Sequence, residues 1–494
     1  MKIAIVGAGS IGFTRRLVRD ILSVEELQDT AFAFQDISAA NLGLVATLCR
    51  RDIEANGVPA TVSTGTEREP ALEGADYVIN TARVGGLEGF RTDVEIPLKY
   101  GVDQCVGDTI CAGGLMYGQR TVPMILDLVA QIERYAGTDR VLLNYANPMA
   151  MNTWAALDHS PVQTIGLCHG VQGGHHLLAR LFERHVNDGR TEEDADFRRI
   201  AKADVDIVAA GINHQTWYSK VLFDGVDWAN DLLELFEADP VIREREKVRI
   251  DIIRRFGYFS TESNGHLSEY LPWYRKRPDE IRDWISTDAW ILGETGGYLR
   301  VCTENRNWFE TDFPKWRDGP TWDYAPEKRS DEHGSYIIES MTTGRVYRGH
   351  FNVRNDGVVT NLPDDAIVEV PGYVDRNGLS IPVVGDLPLG CAAICNNSIQ
   401  VQRMATQAAA TGDVELLKQA ILLDPLVGAV CNPPEVWQMV DEMLVAQAQW
   451  LPQYVGEIDG ARQRLASEPS LARGDTVGAV RLKTRTVEEL QAAD

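Results

Sequence analysis

The first twelve residues constrain the fold more than any other stretch. An apolar β-type run, Lys2 to Val6, passes directly into GAGSIG from Gly7 to Gly12, and a helical pattern carrying Leu17, Ile21 and Leu22 follows. Strand, glycine turn and helix in that order predict a dinucleotide cradle. Gly7 makes the tight turn, Gly9 lets the backbone approach a pyrophosphate, and Gly12 permits close helix packing. Ser10 and Ile11 open the helix whose N-terminus favours phosphate charge. A second β-type run, Ala31 to Phe34, ends near Asp36, at the spacing expected for the acidic residue that holds a ribose 2′-hydroxyl. Its carboxylate would repel a 2′-phosphate, so NAD is expected over NADP.

Further β-type runs at Ala75 to Thr81 and Arg140 to Asn144 continue the alternation of strand and helix. The expected fold is therefore α/β, an N-terminal Rossmann-like, doubly wound parallel sheet. Short Gly-containing segments follow, Thr164 to Gly174 and Val205 to Trp217, which read as strand ends presenting polar residues. Beyond Asp224 strict alternation stops. Helical stretches at Ile250 to Phe256 and Val414 to Leu423 mix with the β-type VVGDLP at Val383 to Pro388. A chain of 494 residues exceeds one ordinary domain of roughly 100–200 residues. Three regions are expected: an NAD-binding domain over 1–205, a mixed α+β substrate, metal and oligomerisation domain over 206–455, and a peripheral tail over 456–494, helical only near Val487 to Ala493.

Charge and cysteine usage narrow the class. A formal net charge of −24, spread along the chain, disfavours nucleic acid as a partner. The start MKIAIVGAGS lacks the regions of a signal peptide, and no stretch stays apolar long enough to span a bilayer, so a cytoplasmic protein is expected. The eight cysteines form no compact framework, and Cys391 and Cys395 lack the C-x-x-C spacing of a zinc site. Six of the eleven tryptophans fall between Trp273 and Trp322. That density suits either a loop covering a sugar or rings anchoring an insertion or a subunit contact.

To this point an NAD-dependent 2-hydroxyacid dehydrogenase satisfies the sequence equally well. Four motifs then follow in order. GDTICAGG contributes Asp108, LLNYANPMAMNTW contributes Asn147, GLCHGVQGG contributes Cys168 and His169, and GINHQTW contributes Asn213 and His214. Taken alone, His214 reads as a structural histidine and Cys168 as a buried thiol. Together with GYFSTESNGHLSEYLPWY and NVRNDGVVTNLP, the set resembles glycoside hydrolase family 4, closest to its α-galactosidase branch, over Lys2 to about Tyr454.

That resemblance implies an enzyme acting on a small α-glycoside, an α-galactoside ahead of an α-glucoside, α-glucuronide or α-galacturonide, with NAD and a divalent metal, usually Mn2+. It places Cys168 and His214 as metal ligands, chemistry that suits a first-row ion with positions open to substrate oxygens. It implies hydride removal from C3 by NAD, deprotonation at C2, elimination of the glycosidic oxygen, water addition at C1 and return of the hydride. Tyr270 matches the base, while Glu262 and Asn264 fall where other branches carry an aspartate. Asp108 matches an acidic residue near the metal. His169 stands where phospho-glucosidases carry an aspartate as general acid, which makes it a candidate acid and disfavours a 6-phospho-β-glucoside. Asn147, Asn213, Arg354 and Asn355 are candidate sugar contacts, with Arg354 equally suited to a carboxylate. His266 is an intermediate case, and the other histidines read as surface or structural groups. A homodimer or homotetramer is expected.

Overall fold

A computed structural model describes residues 1–306, 308–474 and 477–492. Its first strands are β1 (Lys2–Val6), β2 (Ala31–Gln35), β3 (Thr61–Gly65), β4 (Tyr77–Asn80), β5 (Val141–Asn144) and β6 (Gln163–Gly166). All pair in parallel in the spatial order 3-2-1-4-5-6, the doubly wound order expected from the sequence. β1 and β4 are almost wholly buried, as short apolar runs covered by helices on both faces must be.

The sheet continues beyond β6. β7 (Val205–Ile212), β8 (Gln215–Phe223), β9 (Val226–Asp227), β10 (Tyr347–Arg354), β11 (Ile367–Asp375) and β12 (Gly378–Ser380) complete twelve strands. The join is antiparallel and narrow, Asn352 of β10 facing Gly166 of β6. Beyond it every pairing is antiparallel, and helices of several lengths fill the rest, which is the mixed α+β character anticipated after residue 224. The helix Leu389–Thr411 packs against the helices Cys111–Tyr135 and Met149–His159, so the later part of the chain is built onto the first.

Two local expectations need correction. Val383 to Pro388 forms no strand: Pro382 and Pro388 remove ladder donors, Gly385 sits at φ +88°, and Val383 stays exposed. The region after 455 is also more ordered than its polarity suggests. A helix spans Val455–Ser467, burying Ile458 and Ala461, and the following segment is tied down where Arg473 N donates to Lys99 O and Ala479 N to Asp103. Of the tryptophans between 273 and 322, most with described side chains are anchors. Trp284 packs edge-on to Tyr274, Trp316 lies against the core, and Trp322 sits under the Arg15 guanidinium at 4.0 Å. Trp290 alone among them lines the cleft described below, and the Trp308 side chain lies outside the described residues. No described helix is long and apolar enough to cross a membrane.

Candidate active site

The C-terminal ends of the parallel strands open onto a cleft of about 810 Å³, where doubly wound sheets bind ligands. Ser10 lies at one end, after β1, and Thr81 after β4. Asn147 follows β5, Cys168 and His169 follow β6, and His214, Glu262 and His266 close the far side. One cleft thus joins the glycine turn to the Cys168 and His214 motifs.

At the glycine turn the backbone is shaped for a ligand that needs close approach. Gly7 adopts φ +84°, and a Cβ there would meet Ala82 N at 2.6 Å. A Cβ on Gly9 would meet the Asp36 carboxylate at 2.7 Å. Gly9 N donates to Asp36 Oδ2 at 2.8 Å and Ser38 N to Oδ1 at 2.8 Å. The helix Ile11–Leu22 begins at Ser10 with no side-chain cap, leaving its first N–H groups for an anion. Gly7, Gly9, Ser10, Ile11, Gly12 and Asp36 are therefore together, and they fit a dinucleotide.

The metal-ligating types meet at His214. It occupies the two-residue connection between β7 and β8 at φ +65°, a left-handed conformation that costs a non-glycine residue roughly 1 kcal/mol. Cys168, His214 and Glu262 bring ligand atoms within 4.8 Å of one another, as do Asp108, His214 and His266. Thiolate, imidazole and carboxylate in one half-open pocket suit a divalent first-row ion. Burial alone would lower the His214 pKa, yet the facing Glu262 and Cys168 hold it well above the ordinary value. Burial raises the Cys168 thiol pKa, opposed by His214. A cluster this rich in anionic donors is one that a cation completes.

Tyr270 lies at the end of the helix Asn264–Tyr270, which Ser263 caps at His266 N. Its hydroxyl is 3.1 Å from His214 Nδ1, and Thr109 Oγ1 is 2.9 Å from the same nitrogen. Burial and the charges of Asp108, Glu269 and Glu262 hold the phenol well above its usual pKa. Ionisation of this hydroxyl therefore needs added positive charge nearby. The neighbouring Glu269 accepts from the backbone N–H groups of Cys105, Val106 and Gly107 at 2.6, 2.9 and 3.0 Å. Its buried carboxylate thereby fixes the loop carrying Asp108 to the helix carrying Tyr270. Asp108 in turn accepts from Asn147 Nδ2 at 2.9 Å.

His169 sits at the cleft edge, its ring stacked on Tyr145 with centroids 6.1 Å apart. Its Nε2 is 2.6 Å from the buried Glu332 carboxylate. Burial opposes the charge on this imidazole, but the Glu332 hydrogen bond and charge outweigh it, so its pKa is raised. That arrangement favours an imidazolium able to donate a proton.

Not every expected site residue lines the cleft: Tyr270 is 1% exposed and reaches it only through His214, against which its hydroxyl packs. Asn213 is buried at the hairpin turn outside the cleft lining, and Arg354, at the end of β10, pairs with Asp158 at 2.6 Å. Asn355 is fully buried and organises the following loop, its Nδ2 donating to the carbonyls of Val359, Leu362 and Pro363. A strand end followed by a side chain that satisfies its own loop explains the conspicuous NVRNDG motif without a ligand. Conversely, Glu262 and His266, flagged in the sequence without a ligand role, join the metal-ligating groups, and Glu332, which the sequence did not single out at all, partners His169. The spacing of Glu262 and His266, four residues apart, was the available signal for a shared site. Glu332, 163 residues from His169, gave none.

Comparison with known proteins follows the same division. The family model described as family 4 glycosyl hydrolase matches residues 2–184, and its C-terminal domain model matches 209–427. An α-galactosidase from Rhizobium meliloti (strain 1021) is 55% identical over 99% of this chain and 97% of its own length. The crystal structure of lplD from Bacillus subtilis superposes with a TM-score of 0.75 at 27% identity, covering 90% of this chain and 99% of that one. The structure of the 6-phospho-β-glucosidase from Thermotoga maritima, with manganese, NAD+ and glucose-6-phosphate, shares the fold at a TM-score of 0.70 and 21% identity, over 91% and 99% of the two chains.

Proposed function

The chain belongs to glycosyl hydrolase family 4, and from that premise we propose that it hydrolyses a small α-galactoside by a redox-assisted elimination. The observation that carries the proposal is the single cleft running from Ser10 of the glycine turn to Cys168, His214 and Glu262. NAD is held at Gly7, Gly9, Ser10, Ile11, Gly12 and Asp36, and a divalent ion such as Mn2+ at Cys168 and His214, with Glu262 as an additional ligand. When bound, the dinucleotide supplies a reversible hydride acceptor for C3 and the ion supplies Lewis acidity.

The protein's own groups do the rest. Asp36 turns from Gly9 N toward the ribose hydroxyls. Tyr270 removes the C2 proton, and the buried Glu269 keeps the Asp108 loop in register with it. His169, gripped by Glu332, donates a proton to the departing glycosidic oxygen. Asn147 and Asp108, already hydrogen-bonded, orient sugar hydroxyls beside the reacting carbons. The α-galactoside is favoured by the relative that is 55% identical. One observation favours a second reading, an α-uronide. Arg180 is exposed on the cleft wall and makes no hydrogen bond or ion pair with a described residue, so its guanidinium is available to a carboxylate.

In keeping with its family, we place the protein in the cytoplasm as a homodimer or homotetramer. The working division is an NAD-binding part over 1–205, a substrate and metal part over 206–455 and a tail over 456–494. The test is hydrolysis of p-nitrophenyl hexosides and uronides with NAD, Mn2+ and a reductant, and with each withheld in turn. The proposal requires α-galactoside cleavage that every omission abolishes, with no net NADH. Cleavage that survives without NAD, or NADH released with a hydroxy acid as a dehydrogenase would do, overturns it.

A further inference from the structure

Between Ser467 and Val487 the described residues form neither helix nor strand, yet the part past residue 477 makes a run of backbone contacts with one wall of the cleft. That wall is an aromatic pair, Trp290 and Tyr298, which line the cleft and stack with ring centroids 4.9 Å apart. The residues joining the two rings, 293–296, also lie outside helix and strand, with Gly293 at φ +125° and Gly296 at φ +61°. A segment with no ladder of its own takes its position from the groups that satisfy its backbone.

Those groups come from the loop that carries Asp108 and from the end of the chain. On the loop side, Gly296 N donates to Gln104 O at 2.8 Å and Tyr298 N to Cys105 O at 3.3 Å. On the opposite side, Thr295 N donates to Val480 O at 2.7 Å, Val480 N to Thr295 Oγ1 at 3.3 Å and Leu482 N to Glu294 Oε1 at 3.3 Å. Farther along, Arg485 pairs at 2.7 Å with Glu304, on the helix Gly297–Arg306 that carries Tyr298. Asp103 joins the two sides. Its buried carboxylate accepts from Thr295 Oγ1 at 2.8 Å, from Ala479 N at 2.8 Å and from the Arg275 guanidinium. It begins the same loop that Glu269 holds from the Tyr270 side. The chain end is the outer layer of this unit: Glu294 and Thr295 beneath it are fully buried, and a Cβ on Gly478, at φ +80°, would collide with Thr295 Cγ2.

We propose that residues 478–486 are a positioning strap for the substrate-binding wall. By pinning Glu294, Thr295 and Glu304, the strap keeps Trp290 and Tyr298 at the separation from the Asp108 loop that a bound glycoside requires. The proposal rests on the cleft being the glycoside site. Aromatic rings grip a sugar through shape, so a small displacement of the pair costs much of the binding. None of the hydrogen bonds that seat the strap goes to the glycine turn or to Cys168, His214 or Glu262, so its loss acts on the sugar and not on NAD or the ion.

The experiment displaces the strap in the full-length protein. Gly478→Val does so because its side chain has no room beside Thr295 and φ +80° disfavours a β-branched residue. Ala479→Pro does so by another route, deleting the N–H that Asp103 accepts. Gly474→Val is the control: φ +81° imposes the same backbone strain in the tail, but a Cβ there meets nothing within 4 Å. Each protein is labelled with 5-fluorotryptophan and loaded with NAD and Mn2+, and the Trp290 fluorine resonance is assigned by its absence in Trp290→Phe. The expected result is a shifted Trp290 resonance in Gly478→Val and Ala479→Pro and an unshifted one in Gly474→Val. With the p-nitrophenyl glycoside that the wild type cleaves best, the two strap variants lose roughly tenfold in kcat/KM, carried by KM, while NAD and Mn2+ affinities stay within about twofold. An unmoved Trp290 resonance in both strap variants overturns the proposal, as does an unchanged KM or an equal rise of KM in Gly474→Val. A lowered melting temperature with KM unaltered shows a tail that only adds stability, and overturns it too. The fluorine readout needs no turnover and the wild type chooses the glycoside, so failure of the α-galactoside assignment leaves this test standing.

Discussion

Replacing Tyr270 by phenylalanine separates a catalytic hydroxyl from a buried ring. The substitution deletes one oxygen and leaves the aromatic body in place, so no cavity of consequence forms around a residue that is 1% exposed. The lost contacts are the 3.1 Å approach to His214 Nδ1 and the bond to the Thr109 hydroxyl, and those two groups keep each other at 2.9 Å. The cost in stability is therefore that of one or two ordinary hydrogen bonds whose partners stay satisfied, about 1–3 kcal/mol. If Tyr270 removes the C2 proton, kcat falls by roughly 10²–10⁴ while KM moves little, because a general base acts in the transition state and not in ground-state binding. The assay is steady-state hydrolysis of p-nitrophenyl α-galactoside with NAD and Mn2+, paired with urea unfolding of the same preparations. A kcat within tenfold of wild type, alongside the small stability loss, would falsify the base assignment and return Tyr270 to the role of a packed core aromatic.

Three further predictions concern the cofactor loop, the cation and pH. Asp36→Ala removes the acceptor that Gly9 N uses at 2.8 Å and that the ribose is proposed to take over; NAD affinity by calorimetry should fall roughly 10–100-fold, at about 1.5–3 kcal/mol for a charged hydrogen bond, and an unchanged Kd contradicts the placement. Glu262→Gln should raise the Mn2+ dissociation constant measured by electron paramagnetic resonance at least tenfold, and Cys168→Ser more, with the fold intact by circular dichroism; equal affinities would remove Glu262 from the ligand set. Asp424 is buried, which raises its pKa to about 6, against the N–H donors of Val427, Cys111 and Leu426. Its folded-state pKa lies above the unfolded value of about 3.9, so the stability it contributes is complete below pH ~4 and is lost as pH rises through ~6. Chemical unfolding across that window should show a decline of up to about 3 kcal/mol that Asp424→Asn flattens, and an unaltered slope in the variant refutes the assignment.

The parts of the account that the sequence revealed are those written in contiguous residues. The order strand, GAGSIG, helix and Asp36 specifies a local unit, and β1, the helix Ile11–Leu22 and β2 sit where that unit requires them. Cys168 and His214 could be singled out by motif, but the reason they meet is topological. β6 and the β7–β8 hairpin present their ends to the same cleft across the antiparallel β10 and β11, and no local pattern encodes that pairing. Residues that act at long range were invisible for the same reason. Glu332 reaches His169, and Glu269 reaches the amides of Cys105 to Gly107, only after the chain has folded over more than 160 residues. Asn355 misled in the opposite direction, since a conspicuous polar motif proved to satisfy its own loop. Val383 to Pro388 shows that β-type composition yields to flanking prolines.

The central claim is that the glycosidic bond breaks through transient oxidation at C3 and loss of the C2 proton, not through direct displacement at C1. Turnover in deuterium oxide reads this directly, by nuclear magnetic resonance or mass analysis of the released sugar. The account predicts galactose carrying solvent deuterium at C2, formed only when NAD and Mn2+ are present, with hydrogen at C3 retained from the substrate. Galactose that keeps its original hydrogen at C2, released at an undiminished rate, would contradict the redox-elimination mechanism.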